Sequence, residues 1–396
     1  MIARRFSNLP ESCGAIRSSF FCAIILLAGC GPLGRPNAAS PPVAPAPIDR
    51  LATRETRALF ASLRALAPAH TLFGHQDDLA YGYGWTGDPG RSDVKSVAGS
   101  YPAVYGWDVG DIFASGKGPL RYDPLRADKL RAWILSGYRR GGVITMSWHM
   151  PNPVAHSDAW DVATPAVARI LPGGDHHAAF LADLDIAARF FRSLRAPDGS
   201  LVPVIFRPWH EQTGDWFWWG AAHCTADQFN ALWRMTVARL RADGVHNLLY
   251  AYSTDVFDTP EDYLARYPGD DVVDILGFDD YHGIASRATL PQFEQRIRTV
   301  VTLAGSRGKI AAVTETGLEA IPDAIWWTDI LGRGLDDVPG AAWVLVWRNA
   351  NPANDRKEHF FAPYPGQKSA ADFVQFTRDP RILLEDELPD LYARQR

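Results

Sequence analysis

The chain has 396 residues, of which 47% are hydrophobic and 12% aromatic, and its formal net charge is −5 with a pI near 6.1. This length allows two or three domains but also fits a single α/β barrel. The sequence contains no basic block or basic-aromatic stripe of the kind that follows phosphates, so we expect no nucleic-acid partner. The 14 Trp, 13 Tyr and 19 Phe, against only 4 Met, suit carbohydrate contact, although large barrels also use aromatic residues in packing.

The N-terminal segment predicts an export signal. Basic residues at positions 4, 5 and 17 precede the apolar run Phe20–Ala28, which is too short to span a bilayer as a mature helix. The run ends in Leu27-Ala28-Gly29-Cys30, which resembles the lipobox of bacterial lipoproteins, where the Cys is acylated and becomes the new N-terminus. An ordinary secretory signal with a chance Cys is the alternative.

We therefore expect a signal peptide over residues 1–29 and a lipidated Cys30 at the start of a Pro- and Ala-rich tether over 30–48. Such a protein crosses the inner membrane and stays lipid-anchored to a bacterial membrane, either at the outer membrane or at the cell surface. The membrane is then a partner through Cys30. Cys13 and Cys22 leave with the signal, so Cys224 has no partner and no disulfide framework is expected.

Eight short apolar runs alternate with segments of helical periodicity between residue 49 and the end of the chain. The runs that predict strands are His70–His75, Pro102–Val109, Gly142–His149, Val202–Glu211, Leu248–Asp255, Asp274–His282, Lys309–Gly317 and Ala341–Asn349. Helices are predicted at Leu51–Ala67, Arg126–Arg140, Ala178–Leu194, Thr225–Ala242, Glu261–Tyr267, Gln292–Ala304 and Asp323–Leu331, with a last helix in Pro363–Arg396. The pattern predicts an α/β fold, a (β/α)8 TIM barrel, as a single catalytic domain over 49–396, with an open doubly wound sheet as the alternative. No strand precedes a Gly-rich phosphate fingerprint, and we expect no cofactor and no metal.

Polar residues collect at the C-terminal ends of these predicted strands. They are His75, Asp108, His149, Glu211, Asp255, Asp279, Tyr281, Glu315 and Arg348. In a parallel barrel all of these ends lie on the face where the loops build the active site.

Two of these residues, Glu211 and Glu315, end the fourth and seventh predicted strands, so they are expected to face each other across the barrel mouth. A retaining glycosidase needs one carboxylic acid to protonate the leaving oxygen and one carboxylate to attack the anomeric carbon, with the two groups about 5–5.5 Å apart. Glu211 is followed by the aromatic run 216–219, and aromatic rings stack on the apolar faces of pyranoses while a weakly solvated acid keeps its proton. We therefore predict Glu211 as the general acid/base and Glu315 as the nucleophile. A Trp-rich core strand with a surface Glu is the competing interpretation of the fourth strand.

Four motifs together resemble glycoside hydrolase family 26, chiefly β-mannanases. They are W-H-E at 209–211 with G-D-W-F-W-W-G at 214–220, F-D-D-Y-H at 278–282, T-E-T-G at 314–317 and W-R-N at 347–349. The resemblance runs in order from about Leu72 to Asn349. It implies a retaining enzyme that cuts β-1,4-mannosidic bonds, with Glu211 as acid/base and Glu315 as nucleophile.

The resemblance also implies substrate-binding roles at seven positions. His149 and His210 contact the sugar being cleaved, Tyr281 hydrogen-bonds the nucleophile, and Asp279 supports that network. Trp347 forms the sugar platform, Trp216 lines the leaving-group side, and Arg348 reaches the next sugar on the non-reducing side. The roles of His75 and Asp108 stay open between substrate contact and bracing of the barrel mouth, and Trp218 and Trp219 are interpreted as packing.

The expected partner is β-mannan or a manno-oligosaccharide, and the chain is expected to be a monomer. Three alternatives stay open: a hydrolase of β-1,3-xylan or mixed-linkage glucan, an exo-acting mannobiohydrolase, and a non-enzymatic lipid-anchored glycan-binding protein.

Overall fold

Eight parallel strands close into a barrel in the computed structural model of the chain, which describes residues 45–116, 118–350 and 358–393. The strands are β1 (Thr71–Gln76), β2 (Val104–Asp108), β3 (Val143–Ser147), β4 (Val204–Arg207), β5 (Leu248–Thr254), β6 (Ile275–Asp280), β7 (Ile310–Thr316) and β8 (Ala341–Val346). Each strand pairs in parallel with its neighbour in sequence, and β1 also pairs with β8, with Leu72 opposite Trp343 and His75 opposite Val346. This closure confirms the predicted (β/α)8 barrel and excludes the open sheet.

The strands are buried on both faces, which explains their continuous apolar sequences. Inward-facing side chains such as Leu72, Ile205 and Ile275 form an inner cluster, and the opposite faces pack against the outer helices. The helix Arg54–Leu66 contributes Leu59, Phe60 and Leu63 to the inner cluster. The interior is thus a packed core rather than a channel, and the chemistry is confined to the rim.

The helices lie between the strands, close to the predicted positions. The α-helices are Arg54–Leu66, Asp93–Ala98, Pro124–Arg139, Val167–Ile170, His177–Ser193, Ala226–Ala242, Pro260–Leu264, Leu290–Arg307, Arg333–Asp336 and Ala370–Phe376. The helix predicted at Asp323–Leu331 is displaced along the chain, because it is built from a π-helical stretch at Trp327–Gly332 that runs directly into Arg333–Asp336.

The last part of the chain contains the helix that we predicted within Pro363–Arg396, followed by a short strand that we did not predict. The helix Ala370–Phe376 is short, and Pro380 follows soon after its end, where a proline cannot extend a helix. Ile382–Leu383 then forms a short strand that pairs with the start of β1. Glu385 anchors the segment by accepting hydrogen bonds from Tyr105 at 2.6 Å and from Arg140 at 2.9 Å. The chain is therefore closed here by the short predicted helix and by the strand that follows it.

The folded part begins within the last residues of the expected tether. Pro47 is buried, and the backbone N–H of Ile48 donates to Asp274 at 2.8 Å. The expected signal peptide and Cys30 lie outside the described residues. Among the residues that the structure describes, no helix is long and apolar enough to cross a membrane.

Candidate active site

Three carboxylates meet at the C-terminal rim of the barrel. One carboxylate oxygen from each of Glu211, Asp279 and Glu315 lies within 4.8 Å of the others. The carboxylates of the two predicted catalytic glutamates therefore meet at one place, at a separation close to the 5–5.5 Å of retaining glycosidases and well short of the 6.5–9.5 Å of inverting enzymes.

Glu211 reaches this position on a tight turn, because β4 ends at Arg207 rather than at Glu211 as predicted. Trp209 and Glu211 adopt φ values of 51° and 53°, which are uncommon for residues other than glycine and are held by surrounding structure at functional sites. The Glu211 N–H donates to the Ser253 carbonyl at 3.0 Å, and the Trp219 indole donates to the His210 carbonyl at 2.8 Å. The turn thus aims Glu211 into the mouth of the barrel.

The surroundings of Glu211 favour its protonated form. Burial raises the pKa of this carboxyl well above its usual range, and the charges of Asp279, Glu315 and Asp255 raise it further, while Arg207 opposes them. The Trp216 indole N–H donates to Glu211 Oε2 at 2.7 Å and fixes the orientation of the group. A carboxylic acid in this state can donate a proton near neutral pH.

Glu315, which lies near the end of β7, is held at both oxygens. The Tyr281 hydroxyl donates to Oε1 at 2.7 Å, and the Arg207 guanidinium donates to Oε2. The residue is only 5% exposed, so the cationic partner offsets the cost of burying its charge. The neighbouring glutamates therefore differ in electrostatic surroundings, as an acid and a nucleophile require.

Arg207 also belongs to the site, although it was not predicted from the sequence. It is 3% exposed and bridges Asp279 and Glu315, and Asp279 also accepts from Ser253 at 2.8 Å and Thr314 at 2.7 Å. Burial raises the pKa of Asp279 to about 7, against the opposing effect of the Arg207 charge. Because Arg207 already supplies a cation to two of the three carboxylates, this cluster is built as an ion-pair network rather than as an open set of metal ligands. The available signal was a charged residue inside the apolar run V-I-F-R.

His149 and His210 form a second connected unit beside the glutamates. His149 Nδ1 donates to Asp108 at 2.7 Å, and its Nε2 lies 3.2 Å from Nε2 of His210. Burial alone would lower the pKa of His149, but the Asp108 carboxylate outweighs it and raises that pKa. Burial lowers the pKa of His210 well below its usual range, helped by the charges of Arg207 and His149. Asp108, whose role the sequence left open, thus orients His149 and is a positioning residue.

Aromatic side chains surround these histidines. The His149 ring lies 5.8 Å from Trp347 and 5.6 Å from Trp160, nearly parallel to the latter. Trp160 is 55% exposed and was not predicted as a site residue, because nothing in its local sequence marks it. Its loop is shaped by the buried Asn152, which donates to the carbonyls of Asp161 at 2.9 Å and Thr164 at 2.8 Å.

The W-R-N motif after β8 is fixed by its last residue. Asn349 is fully buried, donates to Asp93 at 2.8 Å, and accepts from the N–H groups of Phe361 and Ala362 at 2.9 Å each. Asp93 in turn accepts from the Trp85 indole at 2.7 Å. These bonds tie the loops after β1 and β8 together just beyond Trp347 and Arg348, which were predicted to contact substrate.

Four other residues singled out in the sequence make structural contacts. His75 is buried and bonds Asp78 at 2.7 Å, which supports the bracing interpretation. Trp218 and Trp219 are buried against Trp209, as expected for packing. Cys224 is buried and receives a hydrogen bond from Arg266 at 2.9 Å.

Comparisons with known proteins agree on one family. Residues 48–367 match the model of glycosyl hydrolase family 26. A mannan endo-1,4-beta-mannosidase from Bifidobacterium adolescentis is 34% identical over 84% of this chain, and another from Thermothelomyces thermophilus is 29% identical over 69% of it. The chain spans 35% of the length of the first relative and 53% of the second.

Solved structures show the same architecture. A GH26 beta-mannanase from Bacteroides ovatus is 45% identical, with a TM-score of 0.80, over 87% of this chain and 98% of that chain. A modular endo-beta-1,4-mannanase from Cellulomonas fimi is 34% identical, also with a TM-score of 0.80, over 89% of this chain and 80% of that chain. With the family match over most of its length and these likenesses, the chain belongs to glycosyl hydrolase family 26.

Proposed function

We propose that the protein is a retaining mannan endo-1,4-β-mannosidase that cleaves β-1,4-mannosidic bonds in mannan, glucomannan, galactomannan or manno-oligosaccharides. The observation that carries the proposal is the pair Glu211 and Glu315, whose carboxylate oxygens lie within 4.8 Å of each other in unlike surroundings. The names of the relatives support the choice of mannan as substrate.

In the first step, Glu211 gives its proton to the glycosidic oxygen while Glu315 attacks the anomeric carbon, so that the C–O bond to the leaving sugar breaks and a glycosyl-enzyme ester forms. In the second step, Glu211, now ionised, takes a proton from a water that attacks the same carbon and releases Glu315. Arg207 and Tyr281 hold the two oxygens of Glu315 through both steps, which keeps the nucleophile in attack geometry.

The remaining assignments concern the sugars. His149 and His210 line the cleavage subsite and contact the sugar there, and Trp347 is its stacking platform. Asp279 accepts a hydrogen bond from Arg207 and so fixes the position of that guanidinium. Trp216 lines the leaving-group side next to Glu211. Arg348, whose guanidinium carbon is 5.9 Å from the Tyr81 ring centroid, binds the next sugar on the non-reducing side.

The test is hydrolysis of mannohexaose and glucomannan, with product lengths followed over time. Glu315→Ala should abolish release of reducing sugar and leave oligosaccharide binding largely in place. Glu319→Ala is the matched control, because Glu319 is 52% exposed and pairs with His359 outside the carboxylate cluster. Unchanged hydrolysis by Glu315→Ala would remove Glu315 from the mechanism.

The same assay separates the alternatives. Mannobiose alone from the start would indicate exo action, and faster cleavage of β-1,3-xylan or mixed-linkage glucan would change the substrate. Binding without any hydrolysis by the intact chain would favour a glycan-binding protein.

We further propose that the full chain is exported and anchored to a bacterial membrane through a lipidated Cys30, and that the catalytic domain acts as a monomer. Labelling with a radioactive fatty acid in a bacterial host should mark the intact chain and the Cys224→Ser control, and it should leave Cys30→Ser unmarked. Label on Cys30→Ser would contradict the anchor. Light scattering of the detergent-free domain measures the oligomeric state.

A further inference from the structure

A cavity of about 500 Å³ opens on the flank of the barrel mouth, outside the carboxylate cluster. It lies between the loop after β1 and the helix Pro124–Arg139, and its walls include Trp107, Trp133, Tyr81 and Leu130. We call it the flank pocket. Its volume falls within the range of pockets that hold small ligands, about 300–1,000 Å³.

The walls of the flank pocket combine flat aromatic surface with polar groups of both signs. The indoles of Trp107 and Trp133 lie parallel, 5.9 Å apart, while Asp77, Asp111 and Arg126 provide acceptors and donors. Trp107 is 1% exposed, and its indole N–H has no hydrogen-bond partner among the described residues. A buried donor without a partner is costly in a folded protein, and Trp107 is one of the residues that line the pocket.

This mixture selects one class of ligand. Arg126 donates to Asp111 at 3.0 Å, and the Tyr81 hydroxyl donates to Asp77, so the charged groups on the wall are paired within the protein. A strongly charged ligand would face a group of its own sign. Burial raises the pKa of Asp77 to about 6, so this carboxyl can donate as well as accept at mildly acidic pH. A neutral sugar ring, with an apolar face and several hydroxyls, fits both kinds of surface.

The flank pocket meets the proposed substrate groove, by which we mean the surface between Arg348 and His149, at two places. Tyr81 lines the pocket, and its ring lies under the guanidinium of Arg348. Arg126 lines the pocket and also lines a smaller cavity of about 180 Å³ that contains His149. A sugar held at Arg348 would therefore have the opening of the flank pocket beside it.

We propose that the flank pocket binds a single hexosyl branch carried by the glycan chain that lies in the groove. The inference rests on the proposed glycan hydrolysis, and it assigns the pocket a role in choosing between substituted and linear substrates. The branch enters sideways, and the Trp133 indole stacks on it while Asp77, Asp111 and Arg126 bond its hydroxyls.

The test uses a substitution that fills the pocket without disturbing the fold. Ala132 is an exposed helix residue on the pocket wall, so Ala132→Trp places an indole in the space reserved for the branch. Leu125→Trp is the matched control, because Leu125 is 76% exposed on the same helix and does not line the pocket. The kcat/KM of each variant is measured on linear manno-oligosaccharides and on their galactosyl-substituted counterparts.

Ala132→Trp should lower kcat/KM on the substituted substrate about tenfold and leave the linear substrate unchanged, while Leu125→Trp changes neither. Equal effects of Ala132→Trp on both substrates, or none on either, would overturn the assignment. If the unaltered protein cleaves no linear mannan, the proposed function fails separately, and calorimetric binding of the two oligosaccharides then decides. In that case the pocket assignment is refuted if the galactosyl branch adds no binding affinity, or if Ala132→Trp leaves the added affinity intact.

Discussion

Arg207→Met tests the electrostatic design of the site most directly. The substitution keeps an unbranched side chain but removes the positive charge shared by Asp279 and Glu315, which are 0% and 5% exposed. A pair of unit charges near contact interacts by about 4 kcal/mol at an effective dielectric constant of about 20. Removing one partner of a buried ion pair lowers the free energy of unfolding by about 3–5 kcal/mol, because the remaining charge has no partner.

The loss should depend on pH. Burial already raises the pKa of Asp279 to about 7, and removing Arg207, which lowers it, moves the value higher still. The folded variant then retains a proton that the unfolded chain has released above pH about 4, so its stability keeps falling as pH rises beyond 7. The Asp279 contribution in the unaltered protein no longer changes there. The slope reaches about 1.4 kcal/mol per pH unit for one group.

Urea denaturation at about pH 6 and about pH 8.5 measures the effect. The destabilisation caused by Arg207→Met should be larger at the higher pH, and kcat should fall about a hundredfold or more, since each 1.36 kcal/mol lost from the transition state is tenfold. Arg266→Met is the control, because Arg266 is 6% exposed and donates to the Cys224 and Trp219 carbonyls and to the Cys224 thiol. Its cost should be nearly the same at both pH values. Equal pH dependence in the two variants would refute the reasoning.

Three further predictions address the acid, the W-R-N loop and the aromatic rim. The charge of Asp255 raises the pKa of Glu211, so Asp255→Asn should move the alkaline limb of the kcat/KM profile to lower pH. Asp258→Asn is the control and should leave the alkaline limb in place, because the Asp258 side chain is 91% exposed. Asn349→Ala removes the bonds that fix Trp347 and Arg348, and initial rates should show a KM increase of about tenfold or more with a smaller change in kcat; unchanged KM would argue against this positioning role. Trp160→Ala should change the free energy of unfolding by no more than about 0.5 kcal/mol, because the side chain is 55% exposed. The same variant should bind oligosaccharide more weakly when binding is measured by calorimetry. Unaltered affinity would exclude Trp160 from the substrate-binding surface.

Local sequence was sufficient to predict the barrel and the positions of its two glutamates at the rim. A continuous apolar strand must be covered on both faces, and eight such strands alternating with helical segments satisfy this requirement by closing into a ring. Closure brings all strand ends to one rim, which is why Glu211 and Glu315 could be placed opposite each other although they are far apart in sequence. The short strand Ile382–Leu383 was not predicted for a related reason, since its pairing with β1 depends on residues at the other end of the chain.

What only the tertiary structure decided are the contacts that give these glutamates different chemistry. Arg207 meets Asp279 and Glu315 across 72 and 108 positions, and no local periodicity indicates which distant side chains a buried charge will find. The same holds for the pairing of His149 with Asp108 and for the walls of the flank pocket. The sequence alone determined the ring of strands and the residue types on its rim, because these follow from the period and polarity of short segments. The protonation of Glu211 and the orientation of Glu315 followed only from folding, because they depend on burial and on charges brought together from separate strands.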